Sequence, residues 1–242
     1  MNNNTEFKCQ IIDWRTDSDI KLDEESSEEI DDEVYQIHLF GRTSDRKSVH
    51  INVTNFKPYF YVEIPDSWGI IQMKRFISKV NDMLSDNGKE HFITHLLNTK
   101  IVKKHKFYGF TNNSLFQFIQ LTFRNNDAFR AYKNIFYKKI KISGLVNYPT
   151  KFIVYESNID PLLRFMHIRD LDSCGWIKID PKKYKHSNFP LSTCDINLIC
   201  KWDCVDHFES TEIVPIIQAA FDIECTSCDG AFPQANRPGD KI

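Results

Sequence analysis

Apolar and polar residues alternate along residues 34–40 (VYQIHLF) and again along 48–54 (SVHINVT), with a punctuating stretch at 41–47 between them. That period of two predicts a β-hairpin. A shorter strand-like run precedes it at 7–14 (FKCQIIDW), and NFKPYFYVEIP at 55–65 predicts an aromatic-rich strand that Pro58 opens and Pro65 closes. The period then lengthens. From Asp66, placed to cap, to about Asn87, the residues Trp68, Ile71, Phe76, Ile77, Val80 and Leu84 fall on one face of a helix. Residues 101–110 and 114–123 predict strands about a Thr111-Asn112-Asn113 turn. Helical spacing resumes over 126–139 through Ala128, Phe129, Tyr132, Ile135 and Phe136, and 151–155 (KFIVY) predicts a further strand. Read from Tyr59 the order is β-α-β-β-α-β, the split βαβ unit of RRM-like and ferredoxin-like subdomains.

Beyond that unit the pattern predicts a helix over 160–169, with Ser157 or Asn158 as cap and Pro161 in its first turn. Short β segments at 176–179, 194–202 and 204–208, interleaved with Gly175, Pro181 and Pro190, predict a small OB-like barrel or open sheet that the early hairpin completes. The fold class is α+β, and no internal repeat is visible. The last signal differs in kind. Residues 215–224 (PIIQAAFDIE) are mostly continuous apolar residues, which predicts a strand buried on both faces and ending in acid.

Composition narrows the class. With 242 residues, 41% hydrophobic and 13% aromatic, the chain has enough apolar material for packed cores, so wholesale disorder and collagen-like architecture are excluded. No run of about 18 apolar residues occurs, and the opening MNNNTE lacks the basic and apolar parts of a signal peptide. A soluble intracellular chain is the expectation. Seven cysteines in a chain of this size do not form a secreted disulfide pattern, so free thiols are expected.

The net charge of -2 conceals an asymmetry. Residues 17–33 carry ten acids against one base, Lys21, whereas residues 34–242 hold 28 bases and 21 acids. The acidic run, poor in aromatic and β-branched residues, reads as a mobile surface loop, with an acidic docking tail as the alternative. The basic body reads either as a solvated surface or as one that favours a polyanion.

The candidate chemistry lies at Asp222 and Glu224. Two residues apart on a strand, both carboxylates point to one face while Ile223 points to the other. Such a pair can hold divalent cations for phosphoryl chemistry, or it can be an ordinary acidic strand end.

Three segments shift that balance. Residues 220–242 (AFDIECTSCDGAFPQANRPGDKI) resemble the first exonuclease motif of family B DNA polymerases, in which D-I-E begins the proofreading site. Residues 155–177 (YESNIDPLLRFMHIRDLDSCGWI) look like the segment of delta-type members that joins the amino-terminal domain to the exonuclease, and 56–65 (FKPYFYVEIP) is similar to the family's aromatic strand. The resemblance implies an amino-terminal domain over 1–213, with its RRM-like part at about 56–155, and the start of a ribonuclease H-like 3′→5′ exonuclease over 214–242. It implies that Asp222 and Glu224 are catalytic metal ligands for Mg2+, two ions in the complete site. It further implies DNA primer-template, single-stranded template and deoxynucleotides as partners, a sliding clamp engaged through other regions, and no membrane. The family's later exonuclease and polymerase motifs are absent, so this chain by itself is expected to be inactive. Richness in Asn, Lys, Ile and Phe points to the delta-like polymerases of giant nucleocytoplasmic DNA viruses, mimivirus-like, acting in the nucleus or a viral replication factory.

Other signals compete less well. Cys225 and Cys228 form C-x-x-C, and Cys194, Cys200, Cys204 and His207 lie upstream, but this spacing does not match a zinc site. No H-E-x-x-H and no phosphate-binding glycine loop occurs. Tyr59, Phe60, Tyr61, Phe107, Tyr108 and Phe110 are expected mainly in the core, with base stacking as the alternative. Lys103, Lys104, His105 and Lys106 make a basic patch beside them, so Lys103, Lys104, Lys106 and Tyr108 are candidate DNA contacts. The rival functions are a non-catalytic module for single-stranded nucleic acid and a zinc-stabilised interaction domain.

Overall fold

The alternating runs at the start of the chain become neighbours in one sheet. The protein is described by a computed structural model covering residues 5–16, 34–188, 190–216 and 218–241. The acidic run 17–33 lies outside the described residues. Two compact units divide the chain, Met1–Glu212 and Ile213–Ile242.

In the first unit the strands β1 (Phe7–Thr16), β2 (Ile37–Arg42), β3 (Ser48–Thr54) and β4 (Tyr59–Glu63) are followed by helix α1 (Ile70–Ser85). Then come β5 (Leu96–His105), β6 (Leu115–Phe123), α2 (Asn126–Ile135), β7 (Ile140–Ile142), β8 (Val146–Thr150) and β9 (Val154–Tyr155). Helix α3 (Pro161–Arg169) leads to β10 (Trp176–Ile179), β11 (Tyr184–His186), β12 (Ile196–Lys201) and β13 (Asp206–His207).

Seven strands form the first sheet in the order β11-β12-β3-β2-β1-β10-β13. Only β12 and β3 run parallel; their neighbours are antiparallel. The early hairpin therefore joins the late short strands, as the pattern suggests. The ladder ends at β11 and β13, so it is an open sheet rather than a closed barrel among the described residues. Its core gathers Ile37, Leu39, Ile51, Val53, Ile177 and Ile179 around Phe56 and Phe165.

Strand β1 carries a bulge between Ile11 and Asp13, where it passes close to β2. A Cβ on Gly41 would sit 2.4 Å from the Gln10 carbonyl oxygen, so only glycine fits there. Gly41→Ala is expected to cost about 1–3 kcal/mol, the range for forced overpacking, measured by urea denaturation. An unchanged midpoint would show that the strands separate freely at this point.

Two buried histidines tie this sheet together. The Asn197 amide donates to the Cys194 carbonyl at 2.8 Å, which aims its oxygen at the His50 Nδ1, 3.2 Å away. His50 Nδ1 therefore donates, and its Nε2 accepts from the His38 Nδ1 at 3.0 Å. Burial, then the adjacent His38, pushes the His50 imidazole down to about 4. The folded state thus holds a neutral ring that the unfolded chain protonates near pH 6.5. Stability from this contact is complete above about pH 6.5 and is lost as the pH falls toward 4. Thermal melts across that window should fall less in His50→Gln than in the parent. Equal falls would remove His50 from the acid response.

The second sheet has the order β5-β6-β4-β9, with every neighbour antiparallel. Helices α1 and α2 cover one face, burying Phe60, Val62, Ile119, Leu121 and Phe123 against Phe76, Val80, Leu84, Phe129 and Tyr132. Burial of each such side chain contributes roughly 1.5–3 kcal/mol. The Tyr132 hydroxyl donates to Asn81 Oδ1 at 2.7 Å, joining the two helices.

Several boundaries differ from the pattern. Asp66 does not cap α1: Trp68 N–H donates to the Pro65 carbonyl in a turn, and the helix starts where Gln72 Oε1 accepts from Gly69 N–H at 3.0 Å. The buried face of α1 uses Met73, while Ile71 is exposed. Asp160, rather than Ser157 or Asn158, caps α3 by accepting from Leu162 N–H at 2.8 Å. The hairpin β7–β8 has no signature in the sequence pattern because three- and five-residue strands carry too little periodicity, and β9 shrinks to two residues.

The run 215–224 is a correction. None of its described residues is in a strand, and Ile216, Phe221 and Ile223 are exposed. A strand needs partners for its backbone N–H and C=O groups, and among the described residues of the second unit the β pairing is limited to an isolated bridge between Thr226 and Lys241. Apolar composition cannot create a strand without a ladder to join.

Helix α3 connects the two sheets. Tyr155 ends β9 in the second sheet, and Phe165, ten residues on, is fully buried in the first core. Between them Glu156 adopts a left-handed backbone at φ 60°. Buried Arg164 holds it there, pairing with the Glu156 carboxylate and donating to the Glu156 carbonyl at 2.9 Å. The guanidinium also lies 4.2 Å over the Tyr59 ring.

Candidate functional site

The expected carboxylate pair sits in the second unit on irregular backbone. Asp222 and Glu224 are exposed, and Asp222 Oδ1 accepts from Ile223 N–H at 2.8 Å. Period-two geometry therefore does not hold here. Among the described residues no three His, Cys, Asp or Glu side chains are grouped to hold a metal ion. The donors are hard oxygens, which suit a magnesium-type ion, but two carboxylates alone do not make its site. Downstream the chain closes on itself: Thr226 and Lys241 exchange backbone hydrogen bonds at 2.9 Å, and Arg237 pairs with Asp229. Asp240 accepts from the Gln234 and Cys228 N–H groups, which hold its carboxyl below the usual range.

The basic patch divides. Lys103 and Lys104 are exposed on β5, with the Lys104 ammonium 4.8 Å over the Tyr61 ring. Lys106 is different. Its Nζ pairs with Glu63 Oε1 at 2.5 Å and lies 4.0 Å over Phe116, while the Tyr155 hydroxyl donates to Glu63 Oε2 at 2.8 Å. Burial would push the Lys106 ammonium down, but the hydrogen bond and charge of Glu63 outweigh it and raise it. Its charge is committed to the fold, a brace that a run of lysines in sequence could not reveal.

The aromatics divide too. Phe60 and Tyr61 are buried, as expected of core residues, and Tyr59 is half-buried. Phe107, Tyr108 and Phe110 are exposed to solvent, contrary to a core role. They follow Lys106 on the loop to a turn at Thr111–Ser114, where Ser114 N–H donates to the Thr111 carbonyl at 2.9 Å. Asn112 and Asn113 both have positive φ, the conformation of a type I′ turn.

The cysteines are free thiols. Burial, then the neighbouring Cys200, pushes Cys9 up to about 12, and burial, then Cys204, does the same for Cys200, so neither offers a thiolate near neutral pH. Cys225 and Cys228 are exposed. No helix among the described residues is long and apolar enough to cross a membrane. A cleft of about 440 Å³ lies between β4 and the β8–β9 segment, lined by Trp68, Leu145, Val146 and Phe152 among others. None of the expected site residues lines it.

Comparison with known proteins adds three kinds of likeness. Residues 152–242 match the family model for the exonuclease domain of DNA polymerase family B, and residues 55–130 match the amino-terminal domain of DNA polymerase delta catalytic subunit-like proteins. The chain is 40% identical over 245 residues to a DNA polymerase of Acanthamoeba polyphaga mimivirus, covering 98% of this chain and 14% of that protein. It is 32% identical over 235 residues to a DNA polymerase of Pyramimonas orientalis virus (93% of this chain, 18% of that one), and 28% identical over 204 residues to the DNA polymerase delta catalytic subunit of Arabidopsis thaliana (82% and 18%). The chain thus spans less than a fifth of the length of these relatives. The fold is shared with the family B DNA polymerase of the hyperthermophilic archaeon Pyrobaculum calidifontis at a TM-score of 0.53 and 13% identity, over 87% of this chain and 21% of that one.

Proposed function

We propose, because this chain belongs to the delta-like family B DNA polymerases, that the whole protein is a replicative DNA-directed DNA polymerase with a 3′→5′ proofreading exonuclease. One observation carries the reading: a delta-type amino-terminal match and an exonuclease match follow each other on one chain, and Asp222-Ile223-Glu224 falls within the second. In the finer reading, the β5-β6-β4-β9 sheet with its two helices is the split βαβ, RRM-like part. The seven-stranded sheet is the OB-like part, and 214–242 opens a ribonuclease H-like domain.

Asp222 and Glu224 would contribute two carboxylates to a site that takes the remaining donors from elsewhere in the protein. When bound, magnesium ions would stabilise the charge that develops on a phosphodiester under attack by water. Primer-template DNA and deoxynucleotides would be the substrates, a sliding clamp a partner, and a nucleus or viral replication factory the place of work.

The test is primer extension and 3′ trimming by the whole purified protein. Template-directed extension with deoxynucleotides, and removal of a mispaired 3′ end when they are withheld, are the expected results. A protein that does neither contradicts the reading.

A further inference from the structure

The tip of the β5–β6 hairpin holds three large rings with no role in the fold. Phe107, Tyr108 and Phe110 are 93–106% exposed. The loop that carries them is nonetheless anchored at both ends, by Lys106 on Glu63 and by the Asn112-Asn113 turn. No acidic residue occurs anywhere in 96–114, whereas Lys100, Lys103 and Lys104 are exposed along β5. Planar rings at a fixed tip, next to uncompensated positive charge, match a ligand with exposed planar groups on a polyanionic chain.

The sheet itself offers no such place. In RRM-type recognition, bases stack on aromatics in the middle of the sheet. Here Tyr61 and Phe118 occupy that position and are only 5% and 3% exposed, with Lys104 over Tyr61 and the Tyr155 ring 5.3 Å from Phe118. The exposed rings of this hairpin lie at its tip, whereas Tyr61 and Phe118 on the sheet are covered.

We propose that this tip is a stacking site for single-stranded nucleic acid, with Phe107, Tyr108 and Phe110 taking bases and Lys103 and Lys104 taking phosphates. The site goes beyond the polymerase reading and owes nothing to Asp222 or Glu224. A duplex, whose bases are stacked on each other, does not fit it.

The test uses the 242-residue chain and fluorescence anisotropy with labelled oligomers: dT, rU, an abasic strand and a duplex of equal length. Replacing Phe107, Tyr108 and Phe110 with Ala is expected to weaken dT or rU binding at least about tenfold, the equivalent of one stacked base. The melting temperature should stay unchanged, because the rings are exposed. The parent should bind the abasic strand about as weakly as the triple variant binds dT. Replacing Lys103 and Lys104 with Ala should instead lower the slope of log affinity against log salt by about 1.4, at roughly 0.7 per phosphate contact. The DNA and RNA arms identify which strand the site takes, and binding of neither overturns the proposal. So do undiminished binding by the folded triple variant and equal affinity for duplex. An effect of the triple variant on self-association alone, by sedimentation, would make the tip a protein contact and overturn it as well. Loss of the polymerase reading would leave these results untouched, and the reverse also holds.

Discussion

Replacing Asp222 or Glu224 by Ala in the whole protein is expected to lower 3′ trimming at least about 100-fold while leaving primer extension essentially intact. Loss of a group that only supports a metal ligand already costs about 10–100-fold, so loss of a ligand should reach the upper end or pass it. Both side chains are exposed in this chain and carry no packing, so the substitutions should not disturb the first unit. Single-turnover trimming of a mispaired primer, run beside extension of a matched one, measures both. Parallel loss of the two activities would contradict the assignment. The same reasoning predicts that the 242-residue chain alone does not trim DNA, because the described residues bring no third donor to the pair.

The second large effect is on stability. Arg164→Ala should cost about 3 kcal/mol, the upper end of the range for hydrogen bonds made by a charged group, since the bonds to the Glu156 carboxylate and carbonyl are lost together. For a chain of this length that corresponds to a melting temperature lower by roughly 6–12 °C. The change removes the partner of the Glu156 carboxylate, frees the Glu156 carbonyl, and leaves the left-handed backbone at Glu156 unsupported. Arg164→Lys should recover little, since an ammonium cannot reproduce the fork or stack over Tyr59. Glu156→Gln should cost less than Arg164→Ala, because it retains the carbonyl contact and Glu156 is partly exposed. A melting temperature within a degree of the parent in Arg164→Ala would show that the two sheets do not depend on this joint.

How far these features could be read from sequence follows the physics of each segment. Strands with several alternations, such as 48–54, and the α2 face of Ala128, Phe129, Tyr132 and Ile135, were legible because burial on one face imposes a period. The Thr111-Asn112-Asn113 turn was legible because asparagine tolerates positive φ. Tertiary contacts were not. Nothing in the run KKHK says that Lys106 alone folds back onto Glu63, a residue 43 positions earlier. Likewise Phe107 and Phe60 are the same residue type, yet one is solvated and the other lies in a core. The carboxylate pair is marked in the sequence by its motif alone, and its expected strand does not form among the described residues, because a ladder depends on partners that the local sequence does not contain.

The central claim is that Asp222 and Glu224 begin a nuclease site within a polymerase. A structure of the whole protein bound to magnesium and a mispaired primer, whose hydrolysis is blocked by a phosphorothioate linkage, tests it most directly. Residues 215–224 are then expected to form a paired central strand, with both carboxylates facing the metal and the 3′-terminal phosphodiester. Residues 215–224 outside any sheet, with both carboxylates in solvent while the primer end is held elsewhere, would contradict it.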